Sequence, residues 1–88
     1  MGMLQISNMY MDCIGSKIPP IINKEILCNL REGIPYQYYL YALLETAEAP
    51  RPSFKYTRAI VNRLIKTGTS INFIEVLIDQ RTDKIFIE

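Results

Sequence analysis

The 88-residue sequence has no histidine, no tryptophan and only two cysteines. Without histidine, the chain lacks the side chain that most often acts as a general base near neutral pH. Two cysteines without histidine do not complete a zinc site, and no G-x-x-x-x-G-K-[ST] phosphate loop occurs. Glu45 and Glu48 fit a solvated helix face, and the other carboxylates show no metal-binding spacing. We therefore expect a protein that is not an enzyme and binds no metal or cofactor.

Long apolar runs are also missing, since no segment approaches the ~20 residues that a membrane-spanning helix needs. The sequence begins without the pattern of a signal peptide. These two features predict a cytoplasmic protein without a membrane partner. In that compartment Cys13 and Cys28 are expected to stay reduced and to serve as small buried packing residues.

Acidic side chains are missing from the central part of the chain. Residues 49–74 carry five basic side chains and no acidic one. By contrast, residues 1–48 carry three basic and five acidic side chains, and residues 75–88 carry two basic and four acidic ones. A basic segment in a chain whose net charge is only +1 predicts binding to a polyanion, above all nucleic acid.

The basic segment has the pattern of one helix, with Ser53 as its N-cap and Gly68 at its end. At ~100° per residue, apolar and basic residues fall on opposite halves of that helix. The predicted core half contains Tyr56, Thr57, Ile60, Val61, Leu64 and Ile65. The predicted nucleic-acid-binding residues are Arg51, Lys55, Arg58, Arg63 and Lys66.

Three more helices are expected before the basic one. The first ends at Gly15, and the second begins at the Pro19-Pro20 pair and ends before Gly33. The third begins at Pro35 and ends before Pro50. In the third helix Tyr36 and Leu40 belong to the apolar stripe, and this predicts that the neighbouring tyrosines are available to stack on bases. Those candidates are Tyr38 and Tyr39.

The C-terminal tail, residues 71–88, is open to two interpretations. Ile71, Ile74 and Ile78 have helical spacing, which favours a short helix at about residues 70–79. Alternating β-branched residues equally fit a β-hairpin, whose last strand, residues 84–88, would pair with a second copy. The predicted fold is therefore an all-α, compact bundle of four to five short helices, with a tail that is a short helix or a hairpin.

The basic helix resembles the Y-x-x-x-I-x-x-x-W signature of DnaD-like replication domains. Tyr56, Ile60 and Leu64 match that spacing, with Leu64 in place of the tryptophan, and Gly68 follows as the glycine that closes the helix in the family. Upstream, residues 9–15 are similar to the family's opening aromatic-x-x-x-x-Gly element. Residues 19–20, 30–34 and 41–47 resemble its later elements in the same order. The resemblance covers about residues 9–70.

The resemblance implies a single helical domain over residues 1–88, from a bacterial chromosome or a phage. It also implies a role in DNA replication, in which the module binds single- or double-stranded DNA and replication initiation proteins or a helicase. The steps concerned are primosome assembly and helicase loading. Tyr56, Ile60 and Leu64 are expected to be mainly core residues that set the orientation of the basic residues.

Two other functions fit parts of the sequence. A protein-interaction or oligomerisation module without nucleic-acid binding would use the tyrosine-rich third helix and the apolar tail, because tyrosine is favoured at interaction hot spots. A transcription regulator would need a helix-turn-helix at Gly33-Ile34-Pro35. The helix after that turn has no lysine or arginine, which makes it a poor recognition helix.

Overall fold

The computed structural model describes the backbone of residues 2–86 and the side chains of residues 2–82. This part of the chain forms five helices and no strand, which confirms the all-α prediction. None of these helices has both the length and the apolar character to cross a membrane. The helices are α1 (Met3–Ile14), α2 (Pro20–Arg31), α3 (Tyr36–Ala47), α4 (Phe54–Thr67) and α5 (Ile71–Phe86).

The predicted ends of the first four helices agree with the structure. Helix α2 begins at Pro20, where a missing amide hydrogen costs nothing. Pro35 is the N-cap of α3, and Gly68 ends α4 in a left-handed conformation. Ser53 is the N-cap of α4, although its hydroxyl makes no capping hydrogen bond. Proline and glycine therefore marked the helix boundaries correctly, because their backbone preferences act locally.

The tail forms one helix that runs to Phe86, beyond the predicted end at about residue 79, so the hairpin alternative is wrong over residues 71–86. Ile74 is fully buried and Ile78 packs against the core. The helical spacing of these residues lets one side of α5 cover α3, an arrangement that the alternating pattern of a strand does not provide. The proposed strand at residues 84–88 is helical up to Phe86, and its last two residues lie outside the described part of the chain.

Helix α3 lies at the centre of the bundle and packs against α1, α4 and α5. Tyr38 and Tyr39 are only 5% and 1% exposed, so the prediction that they are stacking platforms is wrong. The Tyr38 hydroxyl donates to the carbonyl of Thr69, and Asn29 Nδ2 donates to the Tyr39 hydroxyl at 2.7 Å. A helix covered by three others buries most of its circumference, and each buried tyrosine hydroxyl then needs such a partner.

An ion-pair cluster joins α3 to α5. The Arg81 guanidinium donates to Glu45 at 2.9 Å and also to Glu48, and it lies 5.5 Å from the centre of the Tyr41 ring. The Tyr41 hydroxyl donates to the same Glu45 carboxylate. Glu45 and Glu48 therefore do not form the merely solvated face that the sequence predicted, because α5 brings a cation to them.

The cysteine prediction is half wrong. Cys13 is partly buried and packs against the core, whereas Cys28 is exposed on α2. Both are free thiols. Cys28 lies two residues after the fully buried Ile26, and this places it about 200° around the helix from that side chain.

Candidate nucleic-acid interface

Helix α4 buries a narrower side than its sequence predicted. Thr57, Ile60, Val61 and Leu64 are buried as expected. Tyr56, however, is 48% exposed, and Ile65 is also exposed, so their assignment to the core is wrong. Because α4 packs mainly on α3, only the arc that faces α3 loses contact with water.

Phe54 is a core residue of α4 that the sequence prediction left out. Its ring is buried and lies 6.5 Å from the ring of Tyr39 and 6.2 Å from that of Tyr10. These three rings join α1, α3 and α4 at the first turn of α4. The available signal was its spacing, since Phe54 lies three residues before Thr57 and seven before Val61, on the same side of the helix.

The opposite side of α4 carries exposed cations. Lys55, Asn62 and Lys66 follow one line along the helix, and Arg63 lies beside that line. We call these four residues the basic face of α4. Lys55 and Lys66 are separated by about 16 Å along the helix axis, a span that matches several consecutive phosphates of a nucleic-acid strand. Arg51 is exposed in the segment that leads into the helix.

These cations have no nearby counter-charge within the described side chains. Across residues 2–82, no carboxylate oxygen lies within 4.0 Å of the charged groups of Arg51, Lys55, Arg63 or Lys66. Four of the five predicted nucleic-acid-binding residues are therefore exposed and remain available to an anionic ligand. An exposed cation loses little solvation when it meets a phosphate, which makes this surface suited to a polyanion.

Arg58, the fifth predicted residue, is held by another helix. Its Nε and Nη2 donate to the two carboxylate oxygens of Glu25 on α2, at 2.8 and 2.9 Å. Its guanidinium also lies 5.1 Å from the centre of the Phe54 ring. The hydrogen bond to Glu25 raises the pKa of Arg58 above its ordinary value. Arg58 therefore fastens α4 to α2. It lies on one side of the line from Lys55 to Lys66, which we call the lysine line, and Arg63 lies on the other side.

This geometry predicts a measurable coupling between Arg58 and Glu25. We expect Arg58→Ala to lower the free energy of unfolding in urea by about 1 kcal/mol, because a forked ion pair and a ring contact are lost. The same substitution in a Glu25→Ala background should cost less, with a coupling of about 0.5–1 kcal/mol in the double-mutant cycle. If the double variant loses the sum of what the two single variants lose, the interaction between Arg58 and Glu25 contributes nothing to stability.

Tyr56, rather than the buried Tyr38 and Tyr39, provides an exposed aromatic ring. Its ring is half exposed, and Tyr56 lies seven residues, or about two turns, before Arg63 on the same side of α4. Ile60 and Leu64, the other two residues of the family motif, are buried. The motif therefore combines two core residues with one exposed aromatic at the edge of the basic face.

Comparison of the chain with protein-family models, with curated proteins and with solved structures gave no match. The resemblance to DnaD-like domains therefore rests on the residues quoted above. Within the described residues, no group of three or more cysteine and carboxylate side chains is placed to hold a metal ion.

Proposed function

We propose that the protein is a DNA-replication accessory module that binds DNA through the basic face of α4. Its further role, in primosome assembly and helicase loading with replication initiation proteins or a helicase, is supported by the family resemblance alone. The observation that supports DNA binding is the row of exposed cations without a carboxylate neighbour among the described side chains, on one face of a helix whose other face is core.

In this proposal Lys55, Arg63 and Lys66 contact consecutive phosphates, and Arg51 extends the track before the helix begins. Each contact releases a condensed counterion, which gives an affinity that falls with salt. Asn62 can donate from its side-chain amide to a phosphate or to a base edge. The exposed Tyr56 ring supplies a surface on which a single-stranded base can stack, worth about 1–3 kcal/mol.

Fluorescence anisotropy with single- and double-stranded oligonucleotides over a salt series tests the proposal. Four phosphate contacts predict a slope of log affinity against log salt of about −3.6 for double-stranded and about −2.8 for single-stranded DNA. The double variant Lys55→Glu/Lys66→Glu should lose at least about 10-fold in affinity, because it removes two contacts and adds repulsion. Arg58 is not substituted, so the ion pair with α2 stays intact.

The matched control is Lys17→Glu/Lys24→Glu, which changes the net charge by the same amount at exposed positions outside α4. We expect the control to bind nearly as tightly as the original protein. Equal losses in the two variants would show that only net charge matters, and the basic face would then not be the site. Undetectable binding at low salt by the folded protein would contradict the function itself.

We propose protein interaction or oligomerisation without nucleic-acid binding as the second candidate function. In helix α3 the side chains of Tyr38 and Tyr39 are buried, so these two tyrosines offer no surface for it. The observation that favours this candidate lies on α5, where Phe73 is 57% exposed and Val76 is 52% exposed. Two apolar side chains three residues apart lie side by side on a helix, and they form a patch that another protein surface can cover.

A further inference from the structure

The outer face of α5 combines apolar and acidic side chains. Val76 lies near the middle of that face, Phe73 lies on one side of it, and Glu75 and Asp79 lie on the other side. All four residues are exposed. Glu75 also accepts a hydrogen bond from Gln37 Nε2 at 3.2 Å, which holds its carboxylate in place without neutralising it. We call these four residues the acidic face of α5.

We infer that the acidic face of α5 binds the basic face of α4 of a second copy of the chain. This inference rests on the oligomerisation part of the second candidate function, not on its exclusion of nucleic-acid binding, and it specifies the surface and the occupant. It needs no nucleic acid, so it stands or falls separately from the DNA-binding proposal.

The two faces are complementary in charge and in shape. Glu75 and Asp79, one turn apart, oppose the lysine line of α4. Between Lys55 and Lys66 the exposed residues on this line are Ala59 and Asn62, and the small side chain of Ala59 leaves room for an apolar group such as Val76. The half-exposed Tyr56 ring, beside the lysine line, offers an apolar surface to Phe73.

The contact must form between copies. Helices α4 and α5 both pack on α3, and their outer faces are directed away from it. A pairing of α5 with α5 would bring Glu75 and Asp79 of two copies together, and a pairing of α4 with α4 would do the same for the lysines. Like charges in such contacts are unfavourable, so the head-to-tail pairing of α5 with α4 is favoured.

An open chain of copies leaves one acidic and one basic face unused at its ends. A ring, or a two-fold dimer in which the α4–α5 contact forms twice, uses every face. The α4–α5 contact also uses the surface that the DNA proposal assigns to phosphates. If both proposals hold, nucleic acid and a second copy compete for α4, and added oligonucleotide dissociates the assembly.

Sedimentation velocity of the full chain without nucleic acid, at low and high salt, tests the inference. We expect concentration-dependent association at low salt that weakens as salt is raised. Glu75→Lys/Asp79→Lys and Lys55→Glu/Lys66→Glu should each weaken association by about 10-fold or more, since each replaces attraction by repulsion. A chain that sediments as a monomer at all concentrations in low salt would overturn the inference.

Mixing the two charge-reversed variants gives the decisive result. Each variant alone has two faces of the same charge, whereas the mixture again pairs opposite charges and should associate. The control Asp12→Lys/Glu32→Lys makes the same change in net charge at exposed positions on other parts of the surface, and it should associate like the original protein. Folded variants whose mixture stays monomeric, or a control that fails equally, would exclude the α4–α5 contact.

Retained DNA binding by Glu75→Lys/Asp79→Lys would show that the DNA site is intact whatever the association state. Loss of association with DNA binding preserved would therefore support the inference and the DNA-binding proposal separately. Association that is unchanged in both reversed variants would overturn the inference and leave the DNA-binding proposal untouched.

Discussion

Replacing Gly2 with alanine is expected to lower the free energy of unfolding by about 2–4 kcal/mol, combining backbone strain with overpacking. Gly2 is buried at the start of α1 with φ of 62°, a conformation that disfavours any side chain. A Cβ atom there would lie 2.2 Å from Cγ and 2.3 Å from Cβ of Tyr36. The backbone of Gly2 and the ring of Tyr36 thus fasten the start of α1 to the start of α3.

Gly68→Ala is the matched control, because Gly68 has nearly the same φ, 64°, but no atom within 4 Å of the added Cβ. Gly68→Ala should lower the free energy of unfolding only through backbone strain, by about 1–2 kcal/mol. Urea denaturation of both variants separates the two contributions. If the two variants lose the same free energy of unfolding, the added Cβ of Gly2→Ala does not press on Tyr36. The first turn of α1 would then move away from α3 at no energetic cost.

The two thiols are expected to react with iodoacetamide at very different rates, with Cys28 alkylated first. Burial, together with the nearby charge of Asp12, raises the pKa of Cys13 from 9.0 to about 11. At pH 8 this shift leaves about 100-fold less thiolate on Cys13 than its ordinary value would give, and the thiolate is the reactive species. Cys28 is exposed. Mass spectrometry of the alkylated chain at timed intervals follows each residue.

The pH dependence follows from the direction of the shift. Because the pKa of Cys13 is higher in the folded protein than in the unfolded chain, the folded state holds this proton more tightly. The stability that this provides is present below about pH 9 and is lost as the pH rises toward 11. Alkylation of Cys13 should accelerate over the same range and should match Cys28 in urea. Equal rates for the folded protein at pH 8 would contradict the burial of Cys13.

Helix α4 illustrates how far a single sequence predicts a site. Its start, its end and its basic residues followed from Ser53, Gly68 and the charge pattern, all of which act within a few residues. The periodic pattern divided the helix into two equal halves, but Tyr56 and Ile65 proved to be exposed. The width of the buried side depends on how many helices pack on α4. The sequence of α4 alone does not reveal that number.

Arg58 shows that a single sequence also does not reveal which cations remain available to a ligand. In the sequence it is one of five equivalent cations, and nothing near it in the chain distinguishes it from Arg63. In the structure its forked ion pair with Glu25, 33 positions earlier, removes it from the basic face. Such pairing between distant residues depends on the relative position of α2 and α4, which follows from the packing of both around the core.

The sequence by itself determined the all-α fold class, the first four helices with most of their boundaries and the position of the basic segment. It left open whether the tail is a helix or a hairpin. Proline and glycine preferences, apolar periodicity and charge are properties of neighbouring residues, and they need no tertiary contact to act. Only the tertiary structure decided that Tyr38 and Tyr39 are core, that Tyr56 is exposed and that Arg81 reaches Glu45. Each of these depends on distances between residues far apart in the chain, which are set when α3 is enclosed by its neighbours and water is removed from the faces they cover.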